Sequence, residues 1–108
     1  MKTKEIVQYQ TWAGSIPFRE WLLGMKDSAA RARIRTRLDR LELGNFGDYK
    51  AVGQGVFELR FHFGPAYRVY FAQDGKTIIV LLIGGDKSSQ SKDINLAQTY
   101  WEDYLRRK

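Results

Sequence analysis

The sequence predicts an α+β fold: a small, antiparallel-dominated sheet with an N-terminal helical hairpin and a C-terminal helix, in the order β-α-α-β-β-β-α. Two changes in apolar spacing carry that reading. Helical spacing over Phe18 to Leu41 gives way to strict alternation from Phe57 to Phe71, and helical spacing returns over Ile94 to Leu105. A third observation is the unbroken apolar run Ile78 to Ile83, which suits a central strand covered on both faces.

Ile6, Val7 and Tyr9 within Glu5 to Gln10 read as a short first strand. Ser15 is placed to cap a helix that starts at Pro17, with Phe18, Trp21, Leu22 and Met25 as its apolar stripe. Asp27 caps the next helix, in which Ala30, Ile34, Leu38 and Leu41 recur at helical spacing until Gly44 stops it. The short link Gly24-Met25-Lys26 makes the two helices an antiparallel hairpin. Gly44 to Gly55, with four glycines, Asn45 and Asp48, is expected to be a loop leading to the sheet. It lacks the Gly-Lys-Ser/Thr of a phosphate-binding P-loop.

From Val56 onward Phe57, Leu59, Phe61 and Phe63 alternate with Glu58, Arg60 and His62, so one set faces a core and the other solvent. Gly64-Pro65-Ala66 turns the chain, after which Tyr67, Val69 and Phe71 alternate with Arg68 and Tyr70. With that turn, Phe63 pairs with Tyr67 or Arg68, and Arg60 lies about one residue pair from Tyr70. Asp74-Gly75 marks the next hairpin. Ile94, Ala97, Trp101, Tyr104 and Leu105 form the stripe of the last helix, and all helices are expected on one sheet face.

A chain of 108 residues has room for a single domain over residues 1–108. Without cysteine, and with His62 as the sole histidine, neither a thiolate nor a histidine-based metal site is expected, and no cofactor is called for. The charged start Met1-Lys2-Thr3-Lys4-Glu5 lacks the apolar stretch of a signal peptide, and Ile78 to Ile83 is too short to span a bilayer, so a cytoplasmic protein without a membrane role is expected. A net charge of +6 favours nucleic acid or an acidic protein as partner. Arg31, Arg33, Arg35, Arg37 and Arg40 form either a solvated helix face or an RNA contact, with Arg31 and Arg35 the candidates for the latter.

The stretch Gly53-Gln54-Gly55-Val56-Phe57-Glu58-Leu59-Arg60, continuing through Tyr67-Arg68-Val69-Tyr70-Phe71 to Gly84-Gly85-Asp86-Lys87-Ser88-Ser89-Gln90, resembles the strand core of the RelE/ParE toxin superfamily. The likeness is closest to its HigB-like addiction module killer proteins and extends from about Phe18 to the end of the chain. It implies a RelE-like fold whose first strand pairs within the same sheet. It further implies the toxin of a type II toxin-antitoxin system, a metal-independent endoribonuclease cutting mRNA in the ribosome. The implied partner is a small helix-turn-helix antitoxin held in a hetero-oligomer. The superfamily also contains ParE-like inhibitors of DNA gyrase without nuclease chemistry, and a non-catalytic RNA-binding or antitoxin-docking module is a third reading.

Cleavage through the RNA's own ribose needs a proton acceptor for the 2′-hydroxyl, cations for the phosphorane and a proton for the departing 5′-oxygen. Arg60 and Arg68 are the cations; the resemblance carries over a transition-state role to Arg68, which alternatively pairs with Glu58 or Asp86. Glu58 is a general base, as a strand glutamate is in some relatives, or a partner neutralising an arginine. Lys50 and Lys87 bracket the same end of the domain in the superfamily picture, with Lys87 at the basic position after the final strand. Asp86 to Asp93 lacks the tyrosine or histidine that ribosome-dependent relatives place there, which leaves Lys87 as the candidate acid. Tyr70 is the candidate to stack on a base. His62 is expected near the hairpin tip, away from the cleft, and Ser88, Ser89 and Gln90 either bind phosphate or form the turn before the last helix.

Overall fold

A computed structural model describes residues 2–108. The elements are β1 (Glu5–Gln8), α1 (Pro17–Leu23), α2 (Ser28–Glu42), β2 (Tyr49–Gly53), β3 (Val56–Arg60), β4 (Arg68–Asp74), β5 (Ile78–Gly85), a 3₁₀ turn (Lys87–Ser89) and α3 (Gln90–Arg106). The fold is α+β, a five-stranded sheet in the order β1-β5-β4-β3-β2, compatible with a RelE-like fold. β1 runs parallel to β5, with Glu5 opposite Ile78, and the other neighbours are antiparallel.

Helix termini follow the local chemistry of the chain. Asp27 Oδ1 accepts from the amides of Ala29 at 3.0 Å and Ala30 at 3.1 Å, capping α2 as expected. Pro17 opens α1, but Ile16 occupies the cap position and Ser15 does not cap; its hydroxyl lies 3.0 Å from that of Thr11 instead.

Helices cover both faces of the sheet, not one. Phe18 and Leu22 of α1 and Ile34 and Leu41 of α2 pack with Leu59, Val69, Phe71, Ile79 and Leu81 on one side. Ala97 and Trp101 of α3 pack with Val56, Tyr70, Ala72, Val80 and Leu82 on the other. Odd and even positions of β4 and β5 are therefore both interior, so Tyr70 is fully buried although its position in the alternation reads as outward. The expected loop Gly44 to Gly55 contains the edge strand β2, whose Tyr49, Lys50 and Ala51 are exposed. An edge strand that buries little carries no apolar alternation to reveal it.

The β3–β4 register also differs from the expected one. Arg60 lies directly opposite Arg68 and Glu58 opposite Tyr70, because both strands stop there and residues between them form a wider connection with Gly64 and Ala66 at positive φ. Directly opposed residues of an antiparallel pair project to the same face, which brings all four side chains to the α3 side.

Two adjacent glycines let helices approach the end of β5 from opposite faces. A Cβ on Gly84 would lie 2.1 Å from the Trp21 ring of α1, and one on Gly85 would lie 1.9 Å from the Asp93 carboxylate of α3. Gly84→Ala is expected to destabilise the chain by about 1–3 kcal/mol through overpacking, read from urea unfolding followed by tryptophan fluorescence. An unchanged midpoint would mean that α1 is not seated against this strand.

Candidate functional site

α3 covers the sheet along most of one face but begins only at Gln90, beside the ends of β3 and β5. Glu58 sits under that helix start and is 1% exposed. Its Oε2 accepts from the Tyr70 hydroxyl at 3.1 Å and from Gln90 Nε2 at 2.9 Å, and lies 3.4 Å from Arg68 Nε. Arg68, whose side chain is 12% exposed, also donates from Nη1 to the Ala66 carbonyl at 3.1 Å. The ion pair with Glu58 is thus the partner observed for Arg68, and Asp86 instead accepts from Ser88.

Among the described residues, the buried side-chain polar atoms without a hydrogen bond are Glu58 Oε1, Arg60 Nε and Arg68 Nε. All belong to this one corner. An unmade hydrogen bond at a buried group costs about 1–3 kcal/mol, so such a concentration is unfavourable unless something else meets it. One acceptor beside two cationic donors is a set that a phosphodiester and its neighbouring hydroxyl complement.

Arg60 is held from outside the sheet. Its Nη2 donates to Asp48 Oδ1 at 3.0 Å, while the other Asp48 oxygen is bonded to His62 Nε2. Those contacts, Arg60 first and then His62, hold the Asp48 carboxyl below the usual carboxylate range. Asp48 is placed in turn by Arg37, whose guanidinium donates to the carbonyls of Arg60 at 2.7 Å, Asp48 at 2.9 Å and Phe46 at 3.2 Å. Desolvation lowers the pKa of Arg37.

Arg60, Arg68 and Glu58 are therefore brought together. Lys50 stands opposite Glu58 on β2, inside the sheet and not before it, with its side chain exposed. Lys87 is exposed on the 3₁₀ turn, and its amide reaches the Pro65 carbonyl at 3.4 Å, which ties that turn to the β3–β4 connection. Tyr70 has no free ring face to offer a base: it is fully buried, and burial followed by the charge of Glu58 pushes its hydroxyl pKa upward. Arg31 and Arg35 do not reach this corner. Arg31 bonds to the Met25 carbonyl, and Arg35 lines a surface shared with Arg19 and Gln8 at the β1 edge. His62 is 75% exposed and shares Asp48 with Arg60, closer to the corner than its place in the sequence suggests.

Ser88 and Ser89 serve the turn: Ser89 Oγ donates to Asp93 Oδ2 at 2.5 Å. Arg37 and Asp48 escape a reading of the sequence, Arg37 because it is one of five similar arginines and Asp48 because its segment reads as a loop. Among the described residues no three His, Asp or Glu side chains group so as to hold a metal ion, and no helix is long and apolar enough to cross a membrane.

Two outcomes follow from this geometry. Arg68→Ala strands the Glu58 charge and is expected to cost about 3–5 kcal/mol in urea unfolding, most of it recovered in Glu58→Gln/Arg68→Met; equal stability of wild type and single variant would mean that the pair is not buried. The Asp48 carboxyl, followed by carbon-detected NMR, is expected to titrate below its ordinary value of about 3.9 and to return toward it in Arg60→Ala. Its contribution to stability is present above the unfolded pKa and is lost as pH falls through the lower folded value. A midpoint that ignores Arg60→Ala would contradict the contact.

A family model described as "Phage derived protein Gp49-like (DUF891)" matches residues 20–102. A protein of Haemophilus influenzae, described as uncharacterized, is 46% identical over 84 residues, which span 78% of this chain and 85% of that relative. The match takes in α2, the strands that build the corner around Glu58, and most of α3. The chain belongs to the Gp49-like family, a toxin-like family related to the RelE and HigB addiction modules.

Proposed function

We propose that the chain is the toxin of a HigB-like type II toxin-antitoxin pair, a cytoplasmic endoribonuclease that cuts mRNA on the ribosome and needs no metal. The observation that carries the reading is the grouping of Glu58, Arg60 and Arg68 on neighbouring positions of one sheet corner, where Glu58 Oε1 and Arg60 Nε make no hydrogen bond and Arg68 Nε faces Glu58 Oε2 at 3.4 Å. Glu58 accepts the proton of the 2′-hydroxyl as that oxygen attacks the adjacent phosphorus. Arg60 and Arg68 share the negative charge of the phosphorane. The bond to the 5′-oxygen breaks, a proton from Lys87 or Lys50 reaches the leaving group, and a 2′,3′-cyclic phosphate and a 5′-hydroxyl remain. Lys50 stands opposite Glu58 on the edge strand and Lys87 follows β5, and both are exposed, which supports their assignment as cations facing the RNA.

The Glu58–Arg68 ion pair and catalysis are compatible. The carboxylate that would accept the proton also fixes Arg68 in place, with Arg68 Nε 3.4 Å from Glu58 Oε2. The Tyr70 ring is buried and offers no stacking surface to a base; a substrate oriented by a second large body such as the ribosome belongs to this reading. A helix-turn-helix antitoxin as the neutralising partner belongs to the same reading.

Primer extension on a defined mRNA in a purified translation system tests it, with and without ribosomes, comparing wild type with Glu58→Gln and Arg60→Ala. Glu58→Gln is expected to slow cutting by about 10²–10⁴-fold, the usual contribution of a general base, while its melting curve shows a folded protein. Ribosome-dependent cuts at in-frame positions support the proposal. A folded Glu58→Gln that cuts at the wild-type rate overturns the role of Glu58. Growth arrest without any cut moves the target to gyrase.

A further inference from the structure

The arginines of α2 fall on two flanks. Arg35 lies toward β1 and Arg31 bonds to the Met25 carbonyl, whereas Arg33, Arg37 and Arg40 line a cleft of about 430 Å³ against Phe61, His62 and Phe63. No carboxylate is among the residues that line it. Arg37 is committed to three backbone carbonyls, but the exposed guanidiniums of Arg33 and Arg40 donate to nothing among the described residues. From this, we propose that the cleft is the docking groove for an acidic segment of a partner protein, with carboxylates on Arg33 and Arg40 and an apolar side chain between them. The assignment goes beyond the ribonuclease reading and holds whether or not the chain cuts RNA.

Three features favour an acidic polypeptide over RNA. Arg33 stands over the Phe63 ring at 4.0 Å and Arg37 over Phe61 at 5.0 Å, so each ring already has a guanidinium on a face a base would use. Phe61 and Phe63 belong to the sheet face covered by α1 and α2, opposite the face that carries Glu58, Arg60 and Arg68. A strand of RNA threaded through the catalytic corner would therefore have to wrap round the sheet to reach the cleft. Arg33 and Arg40 are seven residues apart on one helix, about 10 Å along its axis. Carboxylates three residues apart on a segment in the polyproline II conformation, with three residues per turn and a rise of about 3.1 Å, lie on one side about 9 Å apart, and guanidinium forks match them well. The cleft also touches the corner through Arg37 and His62, both bound to Asp48 or its backbone, so an occupant bears on the elements that hold Arg60.

The test is fluorescence anisotropy with the full chain and a short labelled peptide of repeating Glu-Leu-Ser, beside a labelled oligouridylate. Arg33→Glu/Arg40→Glu is compared with Arg19→Glu/Arg35→Glu, which makes the same change of charge on the other flank. The expected result is a loss of peptide affinity of about tenfold or more for the first variant and within about threefold for the second, with oligouridylate affected equally by both. Thr36→Trp, which fills the exposed cleft without altering charge, is expected to block the peptide as well. Absence of peptide binding to wild type, equal losses in both charge variants, or an unaffected Thr36→Trp overturns the proposal. So does an oligouridylate loss at Arg33 and Arg40 as large as the peptide's, which would make the cleft an RNA track. Peptide binding that survives Glu58→Gln, a change on the opposite sheet face, separates this inference from the catalytic one.

Discussion

A carboxylate with almost no exposure to water governs the architecture around it. Glu58 is 1% exposed at the centre of a sheet corner, and a charge there is tolerated only with partners close by. Arg68 comes from the strand paired with it, Tyr70 from the position directly opposite, and Gln90 from the first residue of α3. The register of β3 on β4 and the seating of α3 are thus both read out at one carboxylate. A one-residue slip of that register would send Tyr70 to the other face and leave Glu58 without its hydroxyl donor. Even in the native register one oxygen remains unsatisfied, and a site built for stability alone would not leave it so.

The corner is braced from the opposite side of the sheet by an arginine that binds no acid side chain. Arg37 gathers the carbonyls of Phe46, Asp48 and Arg60, which converts a glycine-rich segment into a fixed approach to β2. Gly47 leaves room for that guanidinium; a Cβ there would meet Arg37 Nη2 at 2.8 Å, and its φ of +66° suits glycine. Asp48 then carries the constraint across to Arg60 and His62. The chain of contacts from Arg37 through Asp48 to Arg60 links the α2 face of the sheet to the α3 face.

Most of the fold is legible in the sequence because burial leaves periodic marks. Phe18, Trp21 and Leu22, then Ala30, Ile34 and Leu41, announce two helices, and the run from Ile78 to Ile83 announces a strand with helices on both sides. That same run contradicts an arrangement with all helices on one face and calls for a helical layer on each side, which α3 completes. β2 left no mark because an exposed edge strand is selected for hydrogen bonding and not for apolar contact. The site is only partly legible. Alternation places Glu58, Arg60 and Arg68 on the polar faces of consecutive strands but not their register, and the same alternation makes Tyr70 look exposed, since a tyrosine on a polar stripe does not reveal that α3 lies over it. Arg37 could not be told from Arg33 or Arg35 by spacing alone; what separates it is a loop whose path only the tertiary structure supplies.

The central claim is that Glu58, Arg60 and Arg68 together engage one RNA phosphate and its neighbouring ribose. NMR of the arginine Nε–H groups tests it most directly, during titration with a non-cleavable oligoribonucleotide carrying a 2′-O-methyl group. The account predicts that the Arg60 and Arg68 Nε–H resonances shift together and gain protection from exchange, while those of Arg19 and Arg35 stay in place. Shifts confined to the arginines of α2, with Arg60 and Arg68 unmoved at saturation, would contradict it.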